Sequence, residues 1–245
     1  MNQIIQSYND FFWKQVNKYD LNNSNVLRKL IHSYQVANVC YTIACAEKWS
    51  EDDRNFCYLI GLLHDLGRFE QWEKYQTYDD AKSIDHGELS SNMLKKFDCQ
   101  KDFFIDKNKA FVMSESIRFH TKSYEGNDAQ IIKYNCVLKD ADAYANVVST
   151  ASGMQQMTVS GDGYTQQILD SFYNQTLMPK ISPKTKLDRC LMLTACCYYV
   201  KNLYLREQIR RLNYIDIIFQ TFSKYLNNDD KKVYKSAIEH LKKKY

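Results

Sequence analysis

The stretch LIGLLHDLGRFEQ, residues 59–71, decides how the chain is read. With Phe56 just ahead of it, its apolar side chains fall at Phe56, Leu59, Ile60 and Leu63. That three- and four-residue spacing marks one buried face of a helix. The helix runs directly into His64 and Asp65. Neighbouring residues on an ideal helix point about 100° apart. His64 and Asp65 therefore converge on one centre only at a helix end, unless they serve two centres between them.

The same periodicity extends outward in both directions. Val36, Val39, Ile43 and Ala46 share a face behind His32, which is expected at the start of its helix. Phe111, Met113, Ile117 and Phe119 lead to His120, and a longer helix runs from Ile131 through Asp142 to Val148. Asp85 followed by Glu88 reads as a capping box opening a helix through Leu94. Helices are expected near 163–177, 184–211, 213–226 and 229–243, with Pro179 and Pro183 breaking the chain before the long one. Gly67–Ile84 reads as a loop holding at most a short helix, and Ser149–Asp162 as a lid or connector. No segment alternates as a strand does, so the fold class is all-α. One domain is expected over 1–245.

Composition narrows the functional classes. The 245 residues carry 33 Lys and Arg against 29 Asp and Glu, a net charge of +4. A hydrophobic content of 44% with 7 Gly and 2 Pro excludes wholesale disorder and loop-rich all-β architectures. So small a charge argues against a nucleic-acid partner, and Lys242, Lys243 and Lys244 read as a solvated helix end. The longest apolar run, Cys190 to Val200, falls short of the roughly 20 residues a bilayer helix needs. A cytoplasmic protein without a membrane partner is expected. The eight cysteines form no CxxC pair and read as small buried hydrophobes.

The chemistry lies in the histidines. There are five: His32, His64, His86, His120 and His240. Imidazole nitrogens and carboxylate oxygens suit Fe, Mn, Co, Ni or Zn, with Mg a further candidate. If His64 and Asp65 serve two ions, Asp65 bridges them, one oxygen to each.

Three segments around these residues carry a resemblance. HSYQVANVCYTIA (32–44), LIGLLHDLGRFEQ (59–71) and VLKDADAYANV (137–147) resemble the ligand helices of the HD superfamily of metal-dependent phosphohydrolases. SIDHGELS (83–90) and IRFHTKS (117–123) supply, in order, the two further histidines of its dinuclear members. The resemblance covers about 27–150, with 151–245 a helical extension expected to pack on that core. It implies an HD-type helical bundle. It also implies two divalent ions, the first held by His32, His64, Asp65 and Asp142, the second by Asp65, His86 and His120. Asp142 is implied as the ligand rather than Asp140, which orients a ligand histidine or sits on the helix surface. His240 matches no motif and is expected on the surface.

What the resemblance implies for activity is hydrolysis of a small phosphomonoester or phosphodiester, a nucleotide among the candidates, by metal-activated water. Asp65, Arg68 and Lys122 are the candidate catalytic residues, and Arg68, Lys122 and Asn146 the candidate substrate contacts. A guanidinium four residues after His64 suits phosphate oxygens; pairing with Glu70 or Glu73 is its bland alternative. Tyr75, Tyr78 and Tyr144 are expected to pack, while Asp79 and Asp80 border the pocket or face solvent. A di-iron oxygenase with the same ligands and a non-catalytic nucleotide-binding module stay open. Substrate identity and oligomeric state are not legible.

Overall fold

The structure, a computed structural model, describes residues 2–98, 106–179 and 181–245. Among them it is all-helical, without a strand; Gly161 and Thr185 form one isolated bridge. Backbone contacts divide the chain into two compact units, Met1–Asp142 and Ala143–Tyr245.

The first unit holds α1 (Asn2–Val16), α2 (Ser24–Ala46), α3 (Glu51–Leu63), α4 (Leu66–Tyr75), a 3-10 turn (Asp80–Lys82), α5 (His86–Asp98), α6 (Lys107–Arg118) and the first half of α7 (Ala129–Ala151). Helix α2 begins eight residues before His32, which therefore lies inside it and not at its start. The reason is local: the Asn23 side chain accepts from the amides of Asn25 and Val26 and sets the cap there. The apolar face then continues from Val26 and Leu30 through Val36, Ala37, Cys40 and Ile43, all buried.

Gly67–Ile84 is also more ordered than its pattern suggests. Its first part is the ten-residue α4, which buries Leu66, Phe69 and Gln71. Gln71 is polar and fully buried, so it breaks the apolar rhythm without leaving the core face. The expected cap at Asp85 is present, its carboxylate accepting from the Glu88 amide at 2.9 Å. The Glu88 carboxylate takes Arg118 and Lys122.

The second unit comprises the rest of α7 with α8 (Gln166–Asn174), α9 (Lys186–Thr194), α10 (Cys196–Tyr199), α11 (Leu203–Arg211), α12 (Tyr214–Ser223) and α13 (Asn228–Lys242). The long helix expected over 184–211 is three helices. Val200 turns extended at φ −72°, ψ 112°, and Asn202 caps a new start by accepting from the Leu205 amide. The fully buried Asp188 accepts from the Thr165 amide and hydroxyl and from the amides of Lys184 and Thr185. It thereby ties the irregular 152–165 segment to α9.

Of the cysteines, Cys40, Cys57, Cys190 and Cys197 are buried as expected, whereas Cys136 sits on the exposed side of α7. Cys99 lies outside the described residues. His240 is half-buried rather than fully exposed: its Nε2 lies 3.1 Å from the Tyr173 carbonyl. No described helix is long and apolar enough to cross a membrane.

Helices α2 and α3 approach closely because position 61 is glycine. A Cβ there would lie 2.7 Å from the Ala37 Cα and 2.9 Å from the Val36 carbonyl oxygen. Both are backbone atoms and cannot rotate away. Gly61→Ala is expected to destabilise the protein by about 1–3 kcal/mol, the range for forced overpacking. Urea unfolding against wild type measures it.

Candidate metal centre

The α3–α4 junction resolves how two adjacent side chains serve one centre. His64 closes α3 in a right-handed helical conformation, φ −58°, ψ −39°. Asp65 leaves the helix at φ −102°, ψ 17°, and α4 starts at the next residue. The break turns the Asp65 carboxylate back toward the His64 imidazole, and Asp65 Oδ2 lies 3.6 Å from His64 Nε2.

The two Asp65 oxygens face different neighbours. Oδ2 lies 3.7 Å from His32 Nε2, and His32 Nε2 lies 3.0 Å from Asp142 Oδ1. Oδ1 lies 3.3 Å from His86 Nε2 and 3.9 Å from His120 Nε2. The structure thus brings all six sequence-derived candidates together in two nests that share Asp65. Ligand atoms of His32, His64 and Asp142 lie within 4.8 Å of one another, and so do those of His64, Asp65 and His120, a group that spans the two nests. Five of the six are buried; the Asp142 side chain keeps 30% of its exposure and marks the open side.

The remaining ring nitrogens fix which atom faces inward. His64 Nδ1 donates to the Gly61 carbonyl at 2.7 Å, and His120 Nδ1 to the Ile117 carbonyl at 2.6 Å. His86 Nδ1 donates to Asp80 Oδ2 at 2.7 Å. Burial, with Arg68 nearby, pushes His86 down to about 4; burial and His64 do the same to His120. Burial also lowers His64. These rings are therefore neutral near pH 7 and point a bare Nε2 lone pair into the nests.

That arrangement fits a cation. His86 Nε2 and His120 Nε2 stand 3.1 Å apart; with each neutral ring's proton on the Nδ1 that meets Asp80 or the Ile117 carbonyl, their lone pairs repel unless a positive charge lies close to both. His64 Nε2 is buried without a hydrogen bond among the described residues, and such an orphaned atom is costly. The donor set, four imidazoles and two carboxylates, suits a divalent transition metal. Burial alone would raise the Asp65 carboxyl; Lys29, His64, His86 and Arg68 outweigh it and hold it well below the usual range. Asp142 is held low against burial by His32 and His64.

Several surrounding groups had no clear signal in the sequence. Lys29 Nζ lies 2.6 Å from Asp65 Oδ2; its position three residues before His32, on the same helical face, was the available clue. Asp80 proves to be the partner of His86, also accepting from Arg68 at 2.8 Å and Gln71 at 2.9 Å. Burial opposes its ionisation, but His86, Arg68 and Gln71 bring it down to about 2. Gln71 reaches Arg68, Asp80, Ser83 and the Ile84 carbonyl.

Arg68 points toward the cluster and not to Glu70 or Glu73. Its Nη1 is held by Gln71, the Tyr78 carbonyl and Asp80, and its Nε lies 3.5 Å from Asp65 Oδ1. Lys122 is held 3.3 Å from both Asp85 and Glu88, at the start of α5. Asn146 lies one turn beyond Asp142 on α7, half-buried, its carbonyl accepting from the Thr150 hydroxyl. Tyr144 packs against Tyr214, as expected for a packing role.

Residues 30–147, just under half the chain, match the family model of the HD domain. The matched segment contains all six clustered residues. Over these residues the chain carries an HD domain, consistent with membership of the HD superfamily, a family that is largely metal-dependent hydrolases. No curated protein and no solved structure matches the chain.

Metal content tests the two nests separately. Asp65→Ala is expected to lose both ions and His86→Ala only one, measured by elemental analysis of purified protein. Asp80→Ala keeps every direct ligand but frees the His86 ring. It is expected to weaken one ion by about 10–100-fold, the usual effect of losing a ligand's orienting partner.

Proposed function

We propose that the chain is a metal-dependent phosphohydrolase acting on a small phosphomonoester or phosphodiester of nucleotide type. One observation carries this reading: Asp65 divides its two oxygens between two nests of inward-facing imidazole nitrogens. In the proposed assignment His32, His64, Asp65 and Asp142 hold one ion, and Asp65, His86 and His120 the other. Such ions, when bound, acidify a water molecule and offset charge on phosphoryl oxygens.

The chain's own groups prepare that chemistry. Asp80 keeps a proton on His86 Nδ1 and so leaves Nε2 free. Gly61 and Ile117 do the same for His64 and His120 through their carbonyls. Substrate arrives on the side of Asp142, the most exposed of the six, where Asn146 follows one turn along the helix and offers a polar contact. Arg68 acts chiefly as a positioning residue, fixing Asp80 and the 78–84 segment against α4. Lys122 has the same kind of role at the start of α5. Both assignments depart from the direct catalytic roles the sequence suggested, because their charges are already paired with Asp80, and with Asp85 and Glu88.

The test is phosphate release from a panel of nucleotides and sugar phosphates, using chelator-stripped protein reloaded with Mn or Co under anaerobic conditions. Activity is expected to return with metal and to fall at least about 100-fold in Asp65→Ala. Oxygen consumption by iron-loaded protein without phosphate release would contradict the hydrolase reading.

A further inference from the structure

Beside the metal nests, three cations converge on one aromatic ring. The Arg28 and Arg68 guanidinium carbons lie 5.3 and 5.7 Å from the Tyr78 ring centroid, and Lys29 Nζ lies 5.4 Å from it. The ring is firmly placed: its hydroxyl donates to the Asn25 carbonyl at 2.9 Å, and it packs on Trp72 at 5.1 Å. Tyr78 thus gathers cationic side chains from α2 and α4 around one point, through the attraction of its π face.

The three differ in what neutralises them. Lys29 pairs with Asp65 and Arg68 with Asp80. Arg28 has no carboxylate partner among the described residues, only the Tyr78 ring. The Arg68 Nε is buried without a hydrogen bond. Cations in the nests would share the Asp65 charge with Lys29. The rim would then present the Arg28 guanidinium and a less fully neutralised Lys29 ammonium to an incoming anion. Asp65 is the hinge of this arrangement, since Lys29 and the nests share its Oδ2.

Resting on the hydrolase reading above, the geometry points to Arg28 and Lys29 on the Tyr78 ring as a second anion subsite, which takes a non-reacting phosphoryl group next to the one bound at the nests. Within the phosphoester class proposed above, the substrate then carries at least two adjacent phosphoryl groups, as a nucleoside diphosphate or triphosphate does. A simple monoester would leave the rim unmatched. A guanidinium and an ammonium side by side suit the oxygens of a polyphosphate chain, the first as a fork and the second as a point charge.

The probe is methylenediphosphonate, a non-hydrolysable diphosphate mimic, with inorganic phosphate as the single-group comparison. Binding to Mn-loaded, dialysed protein is followed by calorimetry, so the result does not depend on turnover. The diphosphonate is expected to bind at least about tenfold more tightly than phosphate. Arg28→Ala is expected to lose about tenfold in diphosphonate affinity with phosphate binding unchanged, and Arg28→Lys to recover part of it. Arg28 pairs with no carboxylate, so its variants should lose no more than its contact with the Tyr78 ring and stay folded, as thermal melting checks. Equal binding of the two probes, or diphosphonate binding indifferent to Arg28→Ala, overturns the subsite. Phosphate release from monoesters in that case leaves the hydrolase reading standing. Conversely, diphosphonate binding that needs Arg28 stands even when every candidate substrate resists hydrolysis.

Discussion

A buried carboxylate between two sets of deprotonated imidazole nitrogens is the constraint around which the first unit is organised. Asp65 is almost wholly removed from solvent, and an isolated ionised carboxylate there would be very costly. Its negative charge is kept because Lys29 and Arg68 face it. Three of the four inward nitrogens depend in turn on a fixed acceptor on the far side of the ring: a carbonyl for His64 and His120, a carboxylate for His86. The two carbonyls come from the last turns of α3 and α6, where carbonyls are left without helical partners.

Seen this way, the helix architecture and the site are a single problem. The close crossing of α2 and α3 at Gly61 places His32 beside His64, and the same Gly61 contributes the carbonyl that orients His64. The break between α3 and α4 turns Asp65 inward. The start of α5 and the end of α6 deliver His86 and His120, and Gly87 lets them meet, since a Cβ there would lie 3.3 Å from His120 Nδ1. Four of the six side chains come from helix termini or the junctions beside them. The other two, His32 and Asp142, come from helix interiors and bring a nitrogen and an oxygen within 3.0 Å of each other.

Much of this was legible in the sequence, for physical reasons. Amphipathic spacing exposed most helices of the first unit; the chemistry of the histidines and of the His64-Asp65 pair pointed to a metal, and the resemblance to the HD ligand helices completed the set of six. The requirement that His64 and Asp65 sit at a helix end followed from helix geometry alone. What escaped was set by partners distant along the chain or by polar residues in apolar places. Buried Gln71 hid α4. The cap at Asn23 moved the start of α2 and left His32 inside the helix. Val200 and Asn202 divided a segment whose composition reads as continuous helix. Asp80 could not be assigned to His86 because the pairing depends on how the 78–84 segment folds back over α4. Arg68 and Lys122 stood out by proximity in sequence, while their partners Asp80, Asp85 and Glu88 came into view only in three dimensions.

The central claim is that Asp65 stands between two cation positions. Anomalous diffraction from crystals of the Mn- or Fe-loaded protein tests it most directly. Two peaks roughly 3.5–4 Å apart, the spacing of two-metal sites, are expected on either side of the Asp65 carboxylate, one toward His32 and one toward His86. Metal bound elsewhere on the surface, with no peak in contact with Asp65, would contradict the account.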